Sequence, residues 1–263
     1  MRIVARMVVP LSVLTLVVVG CSPDNAVTTP SVTSTTAVPA ITNSAVPQTA
    51  TADPLPTRDT VSQVATSKSS TIDVYANPNE SEFEIISASD VLTVPDKTPL
   101  VFLVKTVTDG WLEVWLPVRP NGSTAWVKTD DVTVADTRFW IEVNLDEFSL
   151  QVHEDEDVVF ETPIGVGQDD LPTPGGTYFI RELLQPPDPN GVYGPYAYGL
   201  SGFSPVLDSF NGGDAVIGIH GTDDPSSIGG TVSHGCIRMP NDSITQIVND
   251  IGLPLGTPVY INT

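Results

Sequence analysis

Only one stretch of this chain spaces its apolar residues as a helix does. After Pro240 and Asn241, residues Ile244, Ile247, Val248 and Ile251 fall on one face, and Gly252 with Pro254 ends the run. The other apolar runs from Ile72 onward are short and bounded by turn residues, so the core has to be assembled from strands. In the first half these are "TPLVFLVKTV", "GWLEVWLPV" and "STAWVKTDDV", punctuated by "TDG" and "PNG". Within "WLEVWL", Trp111, Glu113 and Trp115 make one alternate set and Leu112, Val114 and Leu116 the other. The tryptophans are read as core rather than as a binding platform. From Arg138 a second β-rich unit begins, with Ile141, Val143 and Leu145 alternating, then Phe148, Leu150 and Val152 after a turn, and "GTYFI", "AVIGIHG" and "TPVYIN" further on. The expectation is a mainly β protein: a small barrel over residues 71–136 and a β-rich domain over 137–263 with one short helix.

Residues 1–20 read differently. Arg2 and Arg6 precede an uncharged apolar run from Met7 to Gly20, too short to cross a bilayer and followed at once by Cys21. The ending "VVGCS" resembles a bacterial lipoprotein signal, which implies lipid on the Cys21 thiol, anchorage to a membrane through acyl chains and an extracytoplasmic place in the cell envelope. Residues 21–70 are dominated by Thr, Ser, Pro, Ala and Val without an aromatic residue, and are expected to be a disordered tether. The whole chain carries 32 acidic against 11 basic residues, a net −21, which argues against nucleic acid as a partner. With Cys21 lipidated, Cys236 is the one remaining thiol and no internal disulfide forms.

The chemistry concentrates in "HGTDDPSSIGGTVSHGCIRM", His220 to Met239, which holds two of the three histidines and one of the two cysteines. A cysteine becomes a nucleophile by losing its proton to a neighbouring base, and His220, ending a strand, is placed to be that base if the loop folds back on Cys236. An ion pair between them is expected to hold the thiolate over a broad pH range. Gly235 lets substrate backbone approach, and amides near Gly235 and Cys236 are candidates to meet an oxyanion. The carbonyl of Gly221, Asp223 or Asp224 is available to orient His220. Zinc on His220, His234 and Cys236 is the competing arrangement, but no fourth ligand or familiar zinc spacing accompanies them, and neither metal nor cofactor is expected. Arg238 either clamps a substrate carboxylate or pairs with a nearby Asp. His153, in "HEDEDV", is expected in a solvated turn. The segment Pro186–Phe203, "PPDPNGVYGPYAYGLSGF", is too long for a simple turn and is expected to be a loop or lid over the cleft, with Tyr196 and Tyr198 as its contacts.

This stretch is identified as the H-G-[ST] … S-H-G-C-x-R signature of the L,D-transpeptidase family (YkuD-type catalytic domain), carried by His220, Gly221, Thr222, Ser233, His234, Gly235, Cys236 and Arg238. The resemblance runs from about Arg138 to the C-terminus. It implies Cys236 as nucleophile, His220 as proton acceptor and donor, Gly221 orienting His220 through its carbonyl, and Ser233, His234, Gly235 and Arg238 as further site residues. It also implies peptidoglycan stem peptides as substrate: a tetrapeptide stem is attacked, terminal D-alanine leaves, and an amine of a neighbouring stem takes the acyl group in a 3→3 cross-link. Hydrolysis by water, as in an L,D-carboxypeptidase, and a non-catalytic wall-binding protein are the alternatives. The preceding segment "GWLEVWLPVRPNGSTAWVKTDDV" resembles bacterial SH3-like domains through Trp111, Gly122, Trp126 and Val127. A monomer is expected.

Overall fold

The computed structural model describes residues 61–263, so the expected signal over 1–20, Cys21 and the tether up to residue 60 lie outside the described residues. Seven strands come first: β1 (Ser62–Ser67), β2 (Thr71–Tyr75), β3 (Glu82–Ser87), β4 (Val101–Thr108), β5 (Trp111–Trp115), β6 (Thr124–Lys128) and β7 (Val132–Thr137). They form one antiparallel sheet in the order β3-β2-β6-β5-β4-β1-β7. The alternation in β5 sorts as its sequence demands, with Leu112, Val114 and Leu116 joining Phe102 and Val127 in the core. Trp111 is buried edge-on against Tyr75, with ring centroids 4.9 Å apart.

The first strand lies within a segment that its composition assigns to the tether. Ser62–Ser67, expected to be tether, is an inner strand paired to β7 on one side and β4 on the other. Only Val64 and Ala65 mark it, and they are buried on opposite sides, Ala65 in the core of its own sheet and Val64 against Phe179 of the second domain. A single helical turn, α1 (Ala88–Val91), also joins the helix that the sequence predicted.

The second domain contributes β8 (Phe139–Asn144), β9 (Ser149–Glu154), β10 (Asp157–Pro163), β11 (Val166–Gly167), β12 (Gly176–Leu184), β13 (Ala197–Phe203), β14 (Ser209–Phe210), β15 (Gly213–Asp214), β16 (Val216–His220), β17 (Thr231–Ser233), β18 (Ile237–Arg238), the helix α2 (Asn241–Gln246) and β19 (Pro258–Asn262). Eight of these make the main sheet, in the order β10-β9-β8-β19-β12-β13-β16-β18. α2 runs on into a wider turn, Ile247–Ile251, that stops at Gly252 with φ 71°. Its Ile244 and Ile247 are buried against the sheet's inner face.

Two expectations fail here for one physical reason, that a neighbouring strand hides what the local sequence advertises. The C-terminal part of the expected lid is β13, buried throughout, because its glycines receive side chains from β12: a Cβ on Gly199 would stand 2.8 Å from Glu182 Cγ, and one on Gly202 would stand 2.4 Å from the Tyr178 ring. Likewise His153 is not in a solvated turn but in β9, 6 % exposed, because Trp140 directly opposite stacks on it at 3.6 Å.

The domains are joined by a dry cluster of Val64, Val101, Leu103 and Phe179 and by polar clasps. Arg119 donates to the carbonyls of Ser204 (2.8 Å) and Leu207 (2.7 Å), and Asn121 exchanges two hydrogen bonds with the Phe203 backbone. Glu182, 1 % exposed, accepts from the Thr93 amide at 2.8 Å and hydroxyl at 3.0 Å and from Arg181 at 3.3 Å. Burial pulls Arg181 below the ordinary arginine range, and the Glu182 charge opposes that pull. Removing the carboxylate strands a buried guanidinium and both Thr93 donors. Glu182→Ala is therefore expected to cost about 3 to 5 kcal/mol, measured as a fall in the denaturant midpoint of the full-length protein.

Candidate active site

The site is built by two short strands. β16 and β18 run parallel with Ile219 opposite Ile237 and His220 opposite Arg238. Side chains alternate along a strand, and Ile217, Ile219, Ile237 and Met239 all enter the core. Gly218, His220, Cys236 and Arg238 are therefore left on the opposite face. The register brings Cys236 beside Gly218, whose amide donates to Sγ at 3.4 Å. A methyl group on Gly218 would lie 3.9 Å from Sγ and 3.9 Å from His220 Cδ2. The missing side chain is the space across which sulfur and imidazole face each other.

His220 is 4 % exposed and its Nδ1 sits 2.5 Å from the Gly221 carbonyl oxygen. A carbonyl only accepts, so Nδ1 carries the proton and Nε2 keeps a free lone pair. Of the three candidate orienters, Gly221 takes the place; Asp224 instead caps the turn at Pro225–Ser227 through the Ser226 amide. Gly221 is bare because Asn241 Oδ1 accepts from the Thr222 amide at 2.8 Å and would stand 2.2 Å from a Cβ on Gly221. Asn241, which the sequence reading placed only as a helix start, thus fixes the turn behind His220.

The turn before the thiol is held from both sides. Ser233 Oγ accepts from the Gly235 amide at 3.1 Å and donates to the Cys236 carbonyl at 2.6 Å, while Thr173 Oγ1 donates to the Gly235 carbonyl at 2.9 Å. Gly235 has φ 114°, and a Cβ there would come within 2.9 Å of Ile217 Cδ1, so glycine is required. Its amide is committed to Ser233 and is not free for an oxyanion, contrary to expectation.

Electrostatics reverse the expected resting state. Burial pushes the Cys236 thiol up, against the Gly218 amide and the Arg238 charge, which pull it down. Burial drives His220 down to about 4; the Gly221 hydrogen bond opposes this and Arg238 adds to it. Both shifts favour a neutral thiol and a neutral imidazole at neutral pH over a thiolate and an imidazolium, with His220 buried and Cys236 half-buried at the cleft wall.

The remaining predicted residues disperse. Arg238 makes no ion pair among the described residues, so no local Asp claims it, and its Nε is buried without a hydrogen-bond partner. His234 is exposed, its ring 5.3 Å from Phe210 at the cleft rim. Among the described residues no three His, Cys, Asp or Glu side chains gather as a metal site would require. Tyr198 is 1 % exposed and packs in the core opposite Ile219, while it also borders the cleft. Tyr196 packs on the same core and reaches Asn249 at 3.3 Å, on the helix side. The loop tyrosine that meets the site is Tyr193, edge-on to His220 with ring centroids 5.0 Å apart. Around Cys236 and His220 opens a cleft of roughly 1100 Å³, lined also by Tyr193, Phe210 and residues of the first domain.

Comparison with known proteins agrees with the signature. Residues 138–261 match the YkuD family, described as an L,D-transpeptidase catalytic domain. The chain is similar to a protein of Bacillus licheniformis named "Putative L,D-transpeptidase YkuD", 36 % identical over 121 residues, 46 % of this chain and 64 % of that one. It is similar also to the Bacillus subtilis protein of the same name, 33 % identical over 124 residues, 47 % of this chain and 66 % of that one. The chain thus spans just under two thirds of these relatives' length. Among solved structures, Bd1075 of Bdellovibrio bacteriovorus is 28 % identical, with 48 % of each chain covered and a TM-score of 0.38.

The burial of the pair sets a pH signature. The folded His220 refuses a proton that the unfolded chain takes up below about 6.5, so its contribution to stability is complete above that pH and is lost as pH falls toward about 4. For Cys236 the sense is opposite, and stability declines as pH rises past the ordinary thiol value of 9.0. Between pH 7 and pH 5 the wild type is expected to lose on the order of 2 kcal/mol more than His220→Asn, measured by urea unfolding. Alkylation of Cys236 by iodoacetamide should climb steadily with pH through the alkaline range, with no plateau from mildly acidic pH upward.

Proposed function

We propose, from the premise that residues 138–261 are a YkuD-type L,D-transpeptidase catalytic domain, that the protein is a cysteine-dependent peptidoglycan L,D-transpeptidase. The observation that carries this reading is the juxtaposition of Cys236 Sγ and the His220 ring across Gly218, at the wall of a cleft large enough for a peptide. His220 Nε2, unprotonated at physiological pH, takes the thiol proton as Sγ bonds to the carbonyl carbon after the third residue of a tetrapeptide stem. The Cys236 amide is our assignment for the oxyanion donor, since that of Gly235 is engaged. Collapse breaks the C–N bond, the proton passes from His220 to the departing D-alanine amine, and a thioester remains. An amine of a neighbouring stem then attacks the thioester, gives a proton to His220, and the sulfur leaves and is reprotonated. Starting from neutral partners places the cost of charge separation in the transition state, where Arg238 favours the thiolate.

The resemblance suggests diaminopimelate as third residue and acceptor. We also read the first domain as SH3-like, Cys21 as lipidated and the protein as a monomer tethered on the extracytoplasmic side of a membrane; sequence pattern supports these assignments. Incubation with tetrapeptide muropeptides is expected to yield cross-linked dimers with release of D-alanine, and Cys236→Ala to give neither, scored by mass spectrometry. Shortened monomers alone would assign the protein to L,D-carboxypeptidases, and an unchanged substrate with no meropenem adduct on Cys236 would leave only a wall-binding role.

A further inference from the structure

The cleft has a wall that the catalytic domain does not supply. Across the sheet, Glu182 pairs with Gly199 and Gly199 with Gly218, which lies beside Cys236. Paired residues share a face, so the two glycines make a floor between the sulfur and Glu182, with Gly199 covered by the Glu182 side chain and Gly218 bare beside the sulfur. The far end of that floor is closed by the first domain. Thr93 sits on Glu182 through its amide and its hydroxyl, and directly after it the amides of Lys97 (3.0 Å) and Thr98 (3.1 Å) both donate to the Val94 carbonyl. This closed turn lines the cleft and carries Lys97, an exposed side chain with no ion-pair partner among the described residues. The other cation lining the cleft, Arg181, is tied to Glu182. In a chain of net −21 whose cleft is also lined by Asp90, Glu182 and Asp214, Lys97 is the one lysine or arginine of the lining that no ion pair engages among the described residues.

We propose that the first domain forms part of the substrate site, and that Lys97 binds a carboxylate of the stem peptide remote from the bond being cleaved. This rests on the L,D-transpeptidase reading. The latch on Glu182 fixes where the cation stands, so specificity for an acidic stem is set from one domain while the chemistry proceeds on the other.

The test uses the full-length protein and two tetrapeptide muropeptides, one with free carboxylates and one amidated at every carboxylate except the terminal D-alanine. Lys97→Ala is expected to raise KM for the free acid roughly three- to fivefold at unchanged kcat, and to leave KM for the amidated stem where the wild type has it. Lys97→Arg should restore the wild-type KM, and the difference between the two substrates should shrink with added salt. Equal KM values for wild type and Lys97→Ala on the free acid, while both turn over, would overturn the Lys97 subsite and leave the activity standing. A wild type that forms no thioester at Cys236 with either substrate would overturn the activity itself, and the subsite with it.

Discussion

The structure of the site depends on a parallel contact two residues long. β18 is an edge strand of minimal length, and pairing of Ile219 with Ile237 and His220 with Arg238 decides which side chains face the cleft. A slip of one residue would send Cys236 into the core and Ile237 to the surface. Two residues of ladder cannot hold such a register alone, and the fixing comes from around it. Gly165 and Arg238 exchange backbone hydrogen bonds of 2.8 Å in each direction, Met239 donates to the His220 carbonyl at 2.9 Å, and Ile237 and Met239 are locked in the core. The signature is thus mostly a folding instruction: Ser233 closes the turn, Gly235 supplies its left-handed backbone, Ile237 anchors, and Cys236 is what remains pointing outward.

The burial around that register also bears on the charges the site can hold. A thiolate and an imidazolium in this pocket would each need a compensating partner, and the polar groups near Sγ are one amide, one distant carbonyl and the Arg238 charge. The carbonyl of Gly221 satisfies Nδ1–H but does not neutralise a second positive charge. In the proposed reaction a substrate would bring the missing compensation, because attack moves the negative charge from sulfur to an oxygen that amides can solvate.

The placement of Cys236 and His220 in one cleft and the overall strand content were legible because they rest on local signals. A histidine ending an apolar strand, a glycine before a cysteine and a helix with caps at both ends each announce themselves within a few residues. What escaped was information held by partners distant in sequence. β13 reads as a loop because its glycines are filled from β12, Tyr198 reads as a lid residue because nothing local shows that it opposes Ile219, and β1 reads as tether because two small apolar residues suffice when a strand is covered on both sides. Resting charge states were likewise invisible, since burial of His220 and Cys236 is a property of the whole cleft. Asn241 and Tyr193 carried signals that a spatial reading alone could use, each belonging to a segment already marked for another reason.

The same glycines also bear on how the two sheets meet. A strand glycine normally weakens a sheet, and here Gly199 and Gly218 are adjacent across the ladder, which concentrates that cost in one row. The row is supported at its far end by Glu182, whose side chain occupies the room that Gly199 vacates and whose charge is held by Arg181 and Thr93. Stiffness lost by removing side chains from the floor is thus recovered by a carboxylate that a separate domain caps. On this argument the first domain is a structural member of the cleft whatever else it binds, and the catalytic sheet without it would expose Phe179, leave Glu182 half-satisfied and lose one bank of its groove.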